Sequence, residues 1–458
     1  MPGADPITVL DGCTVVTMDG RRSEYPSGHV VIEGNRITAV GEGPAPRDLP
    51  GARYVDAGGC LATPGLVNTH HHLYQWVTRG LAVDDTLFGW LTTLYPVWGC
   101  IDADIVRTAA TGSLAWLARS GCTTTTDHHY VFPRGGGDVF TAEIEAATRV
   151  GLRFHPCRGS MDLGQSKGGL PPDNVVEDRD EILAATQEAI DRHHDPAPDS
   201  MLRVAVAPCS PFSVTAELLS DAAELSRRNG VLMHTHLAET LDEEDFCREH
   251  FGCSPVEYVQ GLGWLGPDVW LAHAVHLDDA AVQTVARTGT GVAHCPSSNA
   301  RLGAGICRSR DLRDAGVKVG LGVDGAASNE ASSLLEEVRH AVLFARARGG
   351  PRALTVRDAL EMATLGGAQV LGRAGEIGSL EPGKLADVAL WRLDGLGHVD
   401  VVDPVAALVL GAPPPLELLL VNGRTVVERD HVVTLEESEV AREVASASTT
   451  LLTRAGVK

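Results

Sequence analysis

Four stretches of this chain follow one plan, an apolar run that stops abruptly at a histidine or an aspartate. They are Pro64-Gly65-Leu66-Val67-Asn68-Thr69-His70-His71-His72, Gly230-Val231-Leu232-Met233-His234-Thr235-His236, Val269-Trp270-Leu271-Ala272-His273 and Val317-Lys318-Val319-Gly320-Leu321-Gly322-Val323-Asp324. Near-continuous apolar runs read as parallel strands buried on both faces. Polar groups gathered at the C-terminal ends of such strands are what the cleft of a (β/α)8 barrel of the TIM type requires.

The spacing supports that barrel. Between His72 and His236 lie enough residues for four βα units, and between His236 and Asp324 enough for three. After the strand that ends in the histidines, the apolar segments place strand 2 at 121–127, strand 3 at 152–157, strand 4 at 202–208 and strand 5 at 230–236. Strand 6 follows at 269–273, strand 7 at 290–294 and strand 8 at 317–324. Ala-rich segments of helical period, Thr141 to Val150, Asp178 to Arg192 and Thr215 to Arg228, separate several of them.

Side chains alternate along a strand, so His70 and His72 face one cleft while His71 points to the opposite side. Two imidazoles converging in this way suit a catalytic metal, which takes about three protein ligands and keeps one open position.

The chain exceeds what eight βα units need, and the excess lies at both ends. Residues 1–60 hold short strand-like segments separated by turns, and 376–433 do likewise, with breaks at Glu381-Pro382-Gly383 and Pro413-Pro414-Pro415. Neither end can bury a core alone, so the two are expected to form one small composite β-sandwich beside a barrel over 61–375. Residues 434–458 read as an amphipathic final helix and tail.

Composition narrows the partners. With 38 Lys and Arg against 60 Asp and Glu, the net charge of −22 disfavours nucleic acid, whose binding rests on phosphate neutralisation. The ten cysteines contain no C-x-x-C pair, which argues against a zinc ribbon and against paired-cysteine zinc sites. Reduced thiols, no basic-plus-apolar leader and no 18-residue apolar run point to a cytoplasmic protein without a membrane partner. A small neutral heterocycle is the expected ligand. A symmetric homo-oligomer is open to a large acidic barrel, although no residue identifies an interface.

The ordered set of markers resembles the amidohydrolase superfamily, in its mononuclear deaminase branch. Those markers are Pro64-Gly65-Leu66-Val67-Asn68 before His70-x-His72, His236-Leu237-Ala238-Glu239, His273, His294-Cys295-Pro296-Ser297-Ser298-Asn299 and Asp324-Gly325-Ala326-Ala327-Ser328-Asn329. The resemblance covers nearly the whole chain. It implies metal ligands His70, His72, His236 and Asp324 around one divalent ion, Zn²⁺ first and Fe²⁺ second, because the same donors serve both. Strand 4 carries no lysine to bridge a second metal, as a mononuclear site requires. The branch usually offers a histidine near Cys209, and this chain departs from that pattern.

The resemblance further implies catalytic roles for Glu239, His273 and Asp324, with His276 an alternative to His273. Asp324 would take a proton from the attacking water, Glu239 would deliver one to a ring nitrogen, and His273 would support the forming charge. A carboxylate against a metal stays ionised, whereas one in a closed apolar pocket has its pKa raised. Gln75 and Cys209 are the expected substrate-binding residues. Gln75, three residues beyond His72, offers a donor and an acceptor to a lactam edge. His71, His128, His129 and His234 read as packing or supporting groups, and Ser328-Asn329 as a turn. The implied reaction is hydrolytic deamination of an amino-oxopurine, 8-oxoguanine foremost, with guanine, isocytosine, pterin or an s-triazine as alternatives. A metal-holding scaffold without turnover is the remaining class, and retention of Glu239 and Asp324 argues against it.

Overall fold

The computed structural model describes residues 7–457. Eight parallel strands close into a barrel in sequence order. They are β1 (Leu66–Asn68), β2 (Cys122–His129), β3 (Arg153–Ser160), β4 (Ala205–Pro208), β5 (Met233–Leu237), β6 (Val269–His273), β7 (Gly291–His294) and β8 (Val319–Leu321). Each expected strand is present, shifted by a few residues at its ends. β4 and β8 are shorter than expected, because Leu202 makes only an isolated bridge to Phe154, and the chain beyond Leu321 leaves the ladder before Asp324.

The helices between strands begin and end where local chemistry dictates. Asp102 caps α1 (Ala103–Arg119) by accepting from the Ile105 amide at 2.9 Å. The helix Ala216–Asn229 starts at Thr215, which caps the Leu218 amide, and stops at Gly230 with φ +67°, a left-handed turn that leads into β5. The expected helices at 141–150, 178–192 and 215–228 are observed at Val139–Val150, Arg179–His193 and Ala216–Asn229.

Both chain ends build one hydrogen-bonded sheet of nine strands beside the barrel. Its centre is the antiparallel pairing of Cys60–Pro64 with Val388–Arg392, which joins the N-terminal strands to the C-terminal ones. Cys60–Pro64 thus carries the sheet past residue 60, up to the residue before Gly65. The hairpin Leu416–Val421 to Arg424–Glu428 turns at Asn422-Gly423, with φ +52° and +76°, the two left-handed residues of a tight hairpin turn. The last helix runs over Glu437–Arg454 and packs on α1 and on the 3₁₀ turn Leu73–Thr78, where the Ser448 hydroxyl donates to the Val77 carbonyl at 2.8 Å.

Barrel and sheet are tied by a buried ion pair. Arg153, at the start of β3, donates to both oxygens of Asp387 at 3.1 and 3.2 Å, and the Asn422 amide donates to the same carboxylate at 2.8 Å. The two charged side chains are 0% and 2% exposed. Removing one partner leaves the other charge buried and uncompensated. Asp387→Ala is therefore expected to lower stability by about 3–5 kcal/mol, read from urea unfolding. A loss near that of a surface substitution would show that the pair does not hold the two parts together.

Candidate active site

The residues singled out in sequence converge at the C-terminal mouth of the barrel. β1 stops at Asn68, and pairing resumes at His71–His72, which runs parallel to Asp324–Gly325. The strand is therefore interrupted at Thr69 and His70, yet the alternation survives. His71 turns outward to the Ser113 hydroxyl on α1 at 2.9 Å, while the Nε2 atoms of His70 and His72 lie 3.3 and 3.4 Å from one oxygen, Oδ1 of Asp324. Ala238, His273, Ala274 and Asp324 all have left-handed backbone, with φ of 54°, 71°, 47° and 63°. Each costs on the order of 1–3 kcal/mol outside glycine, a strain that clusters at the strand ends.

Hydrogen bonds on the far side of each ring determine what the near side presents. His72 Nδ1 faces the His128 carbonyl at 2.7 Å, and His236 Nδ1 faces the Cys209 carbonyl at 2.7 Å. A carbonyl only accepts, so both Nδ1 atoms carry the proton and donate it. His234 donates from Nδ1 to the Trp270 carbonyl at 2.9 Å, which leaves its Nε2 to accept from His70 Nδ1 at 2.7 Å. All three neutral rings thus turn an Nε2 lone pair inward. His72 Nε2 and His236 Nε2 stand only 3.1 Å apart, and His70 Nε2 is buried without a hydrogen-bond partner. Three lone pairs and a carboxylate oxygen without a donor among them need a cation. The ligand atoms of His70, His72 and His236 fall within 4.8 Å of one another, as do those of His70, His273 and Asp324. The donor set fits a divalent metal held by His70, His72, His236 and Asp324.

Two carboxylates meet one imidazole beside that cluster. His273 donates from Nδ1 to Asn299 Oδ1 at 2.9 Å, and its Nε2 stands 3.6 Å from Glu239 Oε2 and 4.0 Å from Asp324 Oδ2. Burial pushes Glu239 up to about 7, against the attraction of His273. Burial also acts to raise Asp324, but the imidazoles of His70, His273 and His72 packed around it hold it well below the usual carboxylate range. Burial works against a cationic His273, yet Glu239, Asp324 and the Asn299 hydrogen bond together raise it. Glu243, which the sequence reading missed, fixes the turn after β5 by accepting from the Ala238 and Glu239 amides at 2.8 and 3.1 Å. The signal was present, since Glu239-Thr240-Leu241-Asp242-Glu243 places an acid in the first turn of the following helix.

The family model described as "Amidohydrolase family" matches residues 61–426. The chain belongs to the amidohydrolase family. As an amidohydrolase it is a hydrolase of carbon–nitrogen bonds. It is 44% identical to the 8-oxoguanine deaminase of Pseudomonas aeruginosa, over 92% of this chain and 94% of that protein. It is 37% identical to an isoxanthopterin deaminase of an unknown prokaryotic organism, over 96% of each. The structure superposes on the atrazine chlorohydrolase of Arthrobacter aurescens TC1 complexed with zinc, with a TM-score of 0.91 and 34% identity, over 96% of this chain and all of that one.

In this amidohydrolase the cluster opens into a cavity, part of it open to solvent, that reaches His72, His236, Glu239, His273 and Asp324. Cys209 and Ser328 are on its wall, whereas Gln75 and Asn329 are not. Gln75 is fully buried behind the wall, its Oε1 accepting from the Ala327 amide at 3.4 Å and its Nε2 without a partner. Asn329 donates to the Val323 carbonyl and to Glu337, so it braces the turn after β8. His276 bonds the Ala304 carbonyl away from the cavity, which leaves His273 as the histidine after β6 that reaches it. Burial pushes the Cys209 thiol up to about 12, so it stays neutral.

The sequence reading missed most of the apolar wall. Leu87, Trp90, Leu91 and Tyr95 descend from the helix Leu87–Trp98 after β1, Tyr130 follows β2, and Ser210 and Phe212 follow β4. The helix after β1 forms the roof, and among the described residues lining the cavity none comes from the loop after β3.

His234 accepts the His70 proton and stacks on Trp270 at 4.2 Å between centroids. His234→Phe keeps the ring and removes the acceptor. Metal affinity is expected to fall by about 10–100-fold, measured by competition with a chelator. Unaltered affinity would show that His70 is oriented by packing alone.

Proposed function

We propose that this amidohydrolase hydrolyses the 2-amino group of an amino-oxopurine, with 8-oxoguanine converted to urate and ammonia. The observation that carries the reading is the pair Glu239 and Asp324, whose environments drive their proton affinities apart while both face His273 Nε2. The relative with 44% identity is an 8-oxoguanine deaminase, which supports the substrate choice.

His70, His72, His236 and Asp324 would hold a divalent metal, which we take to be Zn²⁺ and which would make the attacking water acidic enough to ionise near neutral pH. Asp324 accepts the proton of the attacking water and returns it to the departing amine. Glu239 enters protonated and gives its proton to the ring nitrogen next to the attacked carbon. His273 stays fixed by Asn299 and faces the negative charge that builds on the attacked centre. The carbon–nitrogen bond to the exocyclic amine then breaks: ammonia leaves with the proton returned by Asp324, the added hydroxyl gives its proton to Glu239, which is protonated again, and a carbonyl remains. Trp90, Tyr95, Tyr130 and Phe212 give the flat heterocycle an aromatic enclosure and exclude bulk water. The Cys209 thiol, on the cavity wall, is the group we assign to its lactam edge, while Gln75 stays behind the wall and braces the Ala327 amide. The same constellation fits a pterin, the ring system of the isoxanthopterin deaminase relative.

Ammonia release from metal-loaded protein, measured with 8-oxoguanine, guanine, isocytosine, isoxanthopterin and an amino-s-triazine, tests the assignment. A kcat/KM highest for 8-oxoguanine is expected, and a higher value for isoxanthopterin would move the substrate to the pterins. Glu239→Gln is expected to retain substrate binding and lose at least about 100-fold in kcat, because the proton donor is gone. In the unmodified enzyme kcat/KM falls as pH rises through about 7, since the protonated Glu239 is the working form. A profile flat across neutrality would remove Glu239 from that role.

A further inference from the structure

At the opposite end of the barrel, the starts of β3 and β4 enclose a second cavity of ≈ 230 Å³ with no part in the chemistry above. Its wall includes His155, His194, Arg203, Leu232, Leu371 and Gly372. Arg153 and Arg373 stand next to it. Arg373, whose side chain has no exposed surface, donates to the Ser200 carbonyl at 2.9 Å and to His155 Nε2 at 3.4 Å, and it also pairs with Glu376.

Every polar side chain on this wall is left with a donor to give. His155 Nε2 accepts from Arg373, so its proton sits on Nδ1, which has no partner. His194 Nδ1 accepts from the Val204 amide at 3.2 Å, so its proton sits on Nε2. Arg203 spends its Nη2 on the Ala197 carbonyl and on Glu376, at 2.8 Å each, and its buried Nε–H has no acceptor. Three arginines, Arg153, Arg203 and Arg373, gather at this end around two carboxylates, Asp387 and Glu376, while Asp199 is taken by Arg36 and Asp195 stands beside His194. Burial, then Arg153 and Arg203, push Arg373 down to about 10.

From the three unpaired donors and the cluster of guanidinium groups around this cavity, we propose that the base of the barrel binds a small oxoanion, a phosphate group. Such a ligand accepts from several N–H donors at once, as guanidinium and imidazole groups arranged around a cavity allow. It would bridge β3, the β4 entry at Arg203 and the segment 371–376 that follows the barrel.

Isothermal titration of inorganic phosphate into the metal-loaded protein, at fixed ionic strength with chloride as the balancing anion, reads the site directly. One phosphate per chain is expected, with a raised melting temperature by mass action. Arg203→Lys keeps the charge but lacks the Nε–H, and His194→Phe removes a second donor at another position. Each is expected to weaken binding by about tenfold, the loss of one charge-assisted hydrogen bond. A phosphate monoester that binds more tightly than inorganic phosphate assigns the same site to an esterified ligand. Absence of binding, or binding unaltered in both variants, as phosphate on the catalytic metal would give, overturns the proposal.

Discussion

Three Nδ1–H hydrogen bonds decide what the mouth of this barrel can hold. Each histidine ring has two nitrogens and, when neutral, one proton, so tying Nδ1 to an acceptor commits Nε2 to a lone pair. For His72 and His236 the acceptor is a backbone carbonyl of the neighbouring strand end, and for His70 it is His234. Those acceptors lie where they do because the strands are parallel and in register, with His236 opposite Ala272 and Leu237 opposite His273. The barrel thus controls proton placement on the rings as well as their positions. Close packing behind the rings depends on the same register. A Cβ on Gly322 would come 2.7 Å from the His70 Cβ, and one on Gly320 would come 2.6 Å from Thr69. Glycine in β8 lets the first strand carry its histidines that close.

Most of this was legible in the sequence wherever the signal was local. Apolar runs ending in His72, His236, His273 and Asp324 identified the strands and the end at which they meet, since burial on both faces demands such runs and function gathers at their C-termini. The environment difference between Glu239 and Asp324 was legible too, because it follows from one carboxylate sitting among imidazoles and the other in an apolar enclosure. What remained hidden depends on long-range placement. Leu87, Trp90 and Tyr95 look like any amphipathic helix until that helix is laid across the barrel mouth. Gln75 shows the converse. Its spacing from His72 puts it near the site, but a short 3₁₀ turn over Leu73–Thr78 rotates it behind the wall, against the Ala327 amide.

The two ends of the barrel divide stability from chemistry. At the base, Arg153, Asp387 and the sheet shared by both termini fix the closure of the strands. At the mouth, left-handed residues at Ala238, His273, Ala274 and Asp324 hold strained backbone. Strain of that kind persists only when the surrounding structure over-determines it. Here the sheet, with its pairing of Cys60–Pro64 to Val388–Arg392 directly before β1, supplies that constraint to the strand that carries His70 and His72. The expected composite domain is therefore part of the site's architecture, although it contributes no residue to the cavity wall among those described.

Substrate choice lies on a different level from reaction type. Every group to which we assign a proton or a charge sits on a strand end or in the turn right after it, whereas the apolar walls of the cavity come mainly from the loops after β1, β2 and β4. Loops change at low cost to the barrel, so one proton-handling core serves heterocycles of different outline. That separation explains why relatives of similar overall identity carry names as different as 8-oxoguanine deaminase and isoxanthopterin deaminase. It also explains why Cys209, at the end of β4 and 3.9 Å from His236 Nδ1, matters to both levels. Its carbonyl orients the His236 ring while its neutral thiol meets the cavity, so a substitution of the side chain alters the wall and leaves the backbone acceptor of His236 in place.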